Sequence, residues 1–223
     1  MKNALITGAS QGLGRALAEH LAAQGVAVAL VARHPGPLDA VVQGIRDRGG
    51  RAVALVADVA TADAARVVGE AVAAHGPLDL VVHNASTLGP TPLRPLLDTD
   101  SAEFQRVLDV NLLGPFNLTR AAAGSMALRG NGTVLFISSD AAIEAYPTWG
   151  AYAVSKAAAD HLAAVWGAEL PQLRFLAVDP GEMDTAMHAA AIPDADPSTL
   201  RPPAESARRI VDGLGAAAGR WVA

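Results

Sequence analysis

Asn3-Ala-Leu-Ile-Thr7-Gly8-Ala-Ser10-Gln-Gly12-Leu13-Gly14-Arg-Ala-Leu17 stands near the start of the chain, and its reading decides the fold. Asn3 to Thr7 is a short apolar run without helical spacing, so it reads as a strand. From Gly14 to Ala23 the apolar residues return at helical intervals. Between the two lie Gly8, Gly12 and Gly14. Glycines let backbone come close to a diphosphate, and a helix that starts here offers free N–H groups to it. A glycine-rich turn alone is a weak signal. Between an N-terminal strand and a helix it is much stronger.

The same alternation continues outward. Val26 to Ala32, Ala52 to Val56, Leu78 to His83, Thr133 to Ser138 and Leu173 to Val178 read as strands, and Arg220 to Val222 as a short last one. Helical periodicity fills the intervals at 38–48, 62–74, 101–129, 152–168 and 205–214. Strands alternating with helices imply an α/β fold, a doubly wound parallel sheet with helices on both faces. One domain over residues 1–223 is expected, with its ligand beyond the strand C-termini. The stretch 182–203 holds Pro193, Pro197, Pro202 and Pro203 and is expected to be an irregular substrate loop.

Composition narrows the function. The net charge is −5 and no basic run occurs, which argues against nucleic acid and anionic membranes as partners. There is no cysteine, hence no disulfide and no thiol chemistry. No apolar stretch is long enough to span a bilayer, so a cytoplasmic protein is expected. No metal is expected.

Two positions carry more. The second strand ends in Ala32-Arg33, where dinucleotide sheets usually place an acid for the adenosine ribose. Without that acid, Arg33 can pair with a 2′-phosphate, so NADP(H) is expected over NAD(H). The second position is Tyr152-Ala-Val-Ser-Lys156. The chain has two tyrosines and two lysines, and one of each meets here. Residues i and i+4 share a helix face. A phenol titrates near ~10, and an ammonium beside it favours the phenolate. The spacing therefore predicts that Lys156 lowers the Tyr152 pKa.

With these glycines upstream and this pair downstream, the chain resembles the short-chain dehydrogenase/reductase family from Thr7 to about Thr185, in the compact single-domain form. The resemblance implies a Rossmann fold that moves hydride between NAD(P) and a carbonyl or alcohol. It implies cofactor contacts from Gly8, Ser10, Gly12, Leu13 and Gly14, from Asp58 and Val59 at the adenine, and from Asn84 and Ala85 after the fourth strand. Pro180, Gly181 and Thr185 fall around the nicotinamide carboxamide, with Met183 among the contacts, and Tyr152 and Lys156 also touch the cofactor. Ser139, thirteen residues before Tyr152, takes the place of the substrate-orienting serine. Asn111 takes that of the asparagine that holds a water linked to the lysine. The family also implies a homodimer, with a tetramer as alternative.

Local chemistry supports Asn111. Pro115 has no N–H, so the carbonyl four residues earlier loses its helical donor and needs another partner. Ser86 departs from the family, which usually has glycine there, and is expected to narrow the site or alter its turn. His83 is expected to be structural. Ile143, Tyr146, Trp149, Met183 and Met187 are candidates for a mostly apolar substrate wall. The favoured activity is NADPH-dependent reduction of a small carbonyl compound. An oxidative alcohol dehydrogenase and a non-catalytic dinucleotide sensor are the alternatives.

Overall fold

The computed structural model describes residues Met1–Ala223. Seven strands form one sheet: β1 (Asn3–Thr7), β2 (Ala27–Ala32), β3 (Ala52–Val56), β4 (Leu80–His83), β5 (Thr133–Ile137), β6 (Arg174–Asp179) and β7 (Gly219–Val222). The order is β3-β2-β1-β4-β5-β6-β7, with every neighbouring pair parallel. Parallel strands covered on both faces read as continuous apolar runs, and β1 and β2 are buried at every position.

Alternate residues feed two cores. Ala4, Ile6, Val28 and Leu30 join Leu17, Leu21, Leu38, Ile45 and Ile210 on one face. These last residues come from α1 (Gly12–Ala23), α2 (Pro35–Asp47) and α8 (Pro203–Gly213). Leu5, Ala29 and Val31 join Val67, Leu118, Met126, Ala159 and Ala163 on the other. Those side chains come from α3 (Ala64–His75), α5 (Gly114–Leu128) and α6 (Gly150–Glu169). Burying each Leu or Ile contributes about 1.5–3 kcal/mol, so the two cores carry the stability.

Two expectations need correction. The helical stretch 101–129 is not one regular helix. It is α4 (Ser101–Leu108), a π-helical turn (Asp109–Leu113) and α5. The irregular stretch 182–203 contains a six-residue helix, α7 (Ala186–Ala191), capped by Thr185, whose Oγ1 accepts from His188 N–H. A parallel bridge between Met183 and Arg201 pins the two ends of the stretch together.

Candidate active site

At the C-terminal ends of the strands lies a cavity of about 950 Å³. One end is walled by Gly8, Ser10, Gly12 and Leu13. Gly8 and Gly12 take φ of 65° and 52°, the left-handed region that side chains disfavour. A Cβ on Gly14 would stand 2.3 Å from the Gly8 carbonyl oxygen, and one on Gly8 would stand 2.8 Å from Ala85 Cα. No side chain caps the first turn of α1, so its N–H groups are available. A cradle without side chains before an uncapped helix suits a diphosphate.

Asn84 and Ala85 shape this turn from behind. Asn84 Nδ2 donates to the carbonyls of Thr7 (3.0 Å) and Gly8 (3.1 Å), and the N–H groups of Asn84 and Ala85 both donate to Thr7 Oγ1 at 3.0 Å. Further along the wall stand Ala32, Arg33, Asp58 and Val59. No ion pair takes up Arg33, which is exposed. Asp58 accepts from Arg106 at 2.6 Å and from Ala60 N–H at 3.0 Å. Burial pushes its carboxyl up, but Arg106 and the Ala60 N–H outweigh that and hold it below the usual range. Arg106 was not legible as a site residue, because it lies 48 positions from Asp58.

The other end of the cavity holds Ser139, Tyr152 and Lys156, with Pro180, Gly181, Met183 and Thr185 opposite. A Cβ on Gly12 would lie 3.5 Å from Thr185 Cγ2, so Thr185 faces the glycine turn directly. Tyr152 is 8 % exposed and Lys156 4 %. The Lys156 ammonium donates to the Ile137 carbonyl at 2.7 Å and stands 5.5 Å from the centre of the Tyr152 ring. The Tyr152 phenol is shifted in the direction opposite to the one its spacing from Lys156 predicts. Burial pushes the phenol up, Ser139 draws it back, and Asp140, Asp179 and Asp160 push it further up. Lys156 itself is pushed down to about 8 by burial, against the pull of Asp160. Desolvation exceeds the effect of an ammonium that is bonded to a carbonyl and not to the phenol.

The two neighbouring serines separate cleanly. Ser138 donates to Asp160 at 2.7 Å. Ser139 donates to Asp140 Oδ1 at 2.8 Å and accepts from Ala141 N–H at 3.2 Å. The other oxygen of Asp140 accepts from the Tyr146 hydroxyl at 2.9 Å. Burial would raise the Asp140 carboxyl, but these donors hold it low. Asp140 was missed by the sequence reading, although it adjoins Ser139.

Asn111 is 3 % exposed, in the π-helical turn. Its amide donates to Thr87 O and to Ser155 Oγ, both at 2.9 Å, and its Oδ1 accepts from Thr87 N–H (2.8 Å) and Ser86 Oγ (3.1 Å). Ser86, the departure from glycine, thus adds a bond to Asn111. The π turn accommodates Pro115. Its last bond runs from Gly114 N–H to Asp109 O, and the next donor would be the N–H that Pro115 lacks. At least one carbonyl at Val110–Asn111 is therefore left without a helical donor, and π turns of this kind concentrate at functional sites.

Of the apolar candidates, Tyr146, Trp149, Met183 and Met187 line the cavity. Ile143 does not: it is 66 % exposed, beyond the wall. His83 is buried, bonded through Nε2 to Thr119 Oγ1 at 2.8 Å, and packed on Phe136. Burial pushes it down to about 3, which fits a neutral structural residue.

A parallel sheet in this order, a glycine turn and a Tyr–Lys pair facing one cavity define a dinucleotide-binding protein of the Rossmann type. The chain belongs to the short-chain dehydrogenase/reductase family: the sequence pattern of the short chain dehydrogenases matches residues 2–196. It is 37% identical over 193 residues to the short chain dehydrogenase MYCFIDRAFT_6125 of Pseudocercospora fijiensis, covering 84% of this chain but only 62% of that one. It is 34% identical over 206 residues to the uncharacterized oxidoreductase YciK of Escherichia coli K12, covering 90% and 81% of the two. An alcohol dehydrogenase of the archaeon Thermococcus sibiricus, complexed with 5-hydroxy-NADP, superposes with a TM-score of 0.90 at 29% identity, covering 100% of this chain and 96% of that one. The chain is accordingly an NAD(P)-binding oxidoreductase.

Proposed function

We propose that the protein is an NADPH-dependent reductase of small carbonyl compounds, with Tyr152 as the proton donor. One observation carries this reading: the Tyr152 phenol is buried beside the Ser139 hydroxyl in the cavity that begins at the glycine turn. A bound nicotinamide supplies the hydride. Ser139 orients the carbonyl oxygen, exchanging its bond to Asp140 for one to substrate. Tyr152 protonates that oxygen, and a phenol carries its proton at neutral pH and is ready to donate it. Lys156 adds positive charge one helical turn away. Asn111 and the unpaired carbonyl at Val110–Asn111 offer a place for a water that returns the proton.

NADPH is favoured because Arg33 is unpaired and no acid stands at Ala32. Trp149, Met183 and Met187 favour an uncharged, partly apolar substrate, since Asp140 and Glu182 also line the cavity. The chain is further proposed to act as a homodimer, exposing Leu113, Val154 and Val165 as apolar surface, which light scattering can test.

The experiment is NADPH oxidation across aldehydes, diketones and quinones, with Tyr152→Phe alongside. Loss of the acid should lower turnover by roughly 10²–10⁴-fold while NADPH binds as before. A variant that keeps more than about a tenth of the rate would rule Tyr152 out as the acid. Absence of turnover on every substrate would favour a dinucleotide sensor.

A further inference from the structure

Behind the site lies a charge cluster of Arg220, Asp160 and Asp179, of which only Asp179 lines the cavity. Arg220, on β7, donates from Nε to Asp160 Oδ2 at 2.9 Å and from Nη2 to the Ser139 carbonyl at 3.0 Å. The same Nη2 lies 3.7 Å from Asp179 Oδ2. The side chains of Arg220, Asp160 and Asp179 are 27%, 13% and 10% exposed. Asp160 stands one turn beyond Lys156 on α6, and its second oxygen is buried without a partner. Its first oxygen also takes the Ser138 hydroxyl. One guanidinium thus joins the last strand, the serine pair and the helix of Tyr152 and Lys156.

We propose that Arg220 is a positioning residue for the Tyr152–Lys156 pair, fixing the backbone of Ser139 and balancing the carboxylates of Asp160 and Asp179. The charges around the pair are few. Asp160 lies on the same helix, Asp140 comes from the turn after Ser139, Asp179 from β6 and Arg220 from β7. From α4 and the π turn, Arg106 and Asp109 are taken up by Asp58 and Gln105. Besides Lys156 itself, Arg220 is the cation that meets Asp160 and Asp179, two of the three carboxylates that favour the protonated phenol. Asp160 also favours the protonated form of Lys156. A guanidinium suits the task, because its planar fork serves a carboxylate and a carbonyl together and keeps its charge when buried.

The proposal deepens the reductase reading and rests on it for the role of the pair. Its test, however, requires no turnover. The chain has only two lysines, so [¹³Cε]lysine gives two signals, and Lys2→Arg assigns them. The Lys156 signal is expected to titrate at about 8 in the unaltered protein. Arg220→Gln should raise that midpoint by about one pH unit. Adding Asp160→Asn should bring it back, and Asp160→Asn alone should lower it. Arg220→Lys keeps the charge and should leave the midpoint near its original place.

For reduction by NADPH, Arg220→Gln should lower kcat about tenfold through misplacement of Ser139 while KM stays within about twofold. A midpoint that does not move in Arg220→Gln or in Asp160→Asn overturns the proposal, even if the melting temperature falls, because the cluster would then be structural only. A Tyr152→Phe enzyme that still reduced carbonyls would sink the assignment of the acid and leave the lysine titration intact.

Discussion

Arg33 gives the most direct test of cofactor choice at the scale of single residues. A charge-assisted bond to a 2′-phosphate contributes about 1.5–3 kcal/mol, or roughly ten- to a hundredfold in affinity. Arg33→Ala should weaken NADPH binding by that factor and barely touch NADH. Ala32→Asp should reverse the preference, because a carboxylate repels phosphate and accepts from ribose hydroxyls. Dissociation constants for both cofactors decide this, and equal loss of both in Arg33→Ala would contradict it. His83 makes a different statement, about pH. Its folded value is about 3, against ~6.5 for a free imidazole. The unfolded chain therefore binds the extra proton first as pH falls. The stability that neutral His83 contributes is complete above the unfolded value and is lost as pH drops from about 6.5 towards 3, with a limiting slope of about 1.4 kcal/mol per pH unit. Replacing His83 with Asn removes the titrating group. Melting temperatures of both proteins across this range should converge at low pH if the assignment holds. Parallel curves would contradict it.

At the scale of elements, the π turn before α5 is the feature that local sequence half announces. Pro115 told of a missing donor, yet the flanking periodicity reads as one helix over 101–129. The chain instead widens by one residue per turn and resumes at Gly114, where a Cβ would stand 2.9 Å from the Val59 carbonyl oxygen. Pro115 consequently sits in the first turn of α5, where proline is tolerated. Pro115→Ala should change stability by no more than about 1 kcal/mol, since only first-turn propensity is at stake. By restoring an N–H, it should let the turn tighten and disturb the bonds of Asn111 to Thr87 and Ser155. A fall in kcat without a matching rise in KM is expected, and an unchanged pH–rate profile with unchanged kcat would count against a relay there. The strands were legible because buried parallel strands show as apolar runs. The short helix α7 was hidden by the four prolines that follow it. The Arg220–Asp160–Asp179 cluster left no local trace, because its members lie up to 60 residues apart.

At the scale of the whole molecule, the cavity gathers residues from Gly8 to Ala204. A ligand filling it contacts both halves of the sheet at once. Binding to the folded state alone stabilises by about 2.7 kcal/mol at a hundred times Kd, which for a chain of this size raises the melting temperature by roughly 5–10 °C. NADPH should produce that shift at concentrations where NADH gives less. Equal shifts would point to a site indifferent to the 2′-phosphate. No helix is long and apolar enough to cross a membrane.

The scarcity of lysine has a practical side. Lys2 is exposed and precedes β1, at the edge of the sheet where the strands begin. Lys156 is buried in the wall of the cavity, which opens where the strands end. A bead or sensor surface that couples to lysine amines therefore meets a single accessible handle, on the side away from the cavity mouth. Protein immobilised in this way would hang with its entrance towards the solution, every copy in much the same orientation.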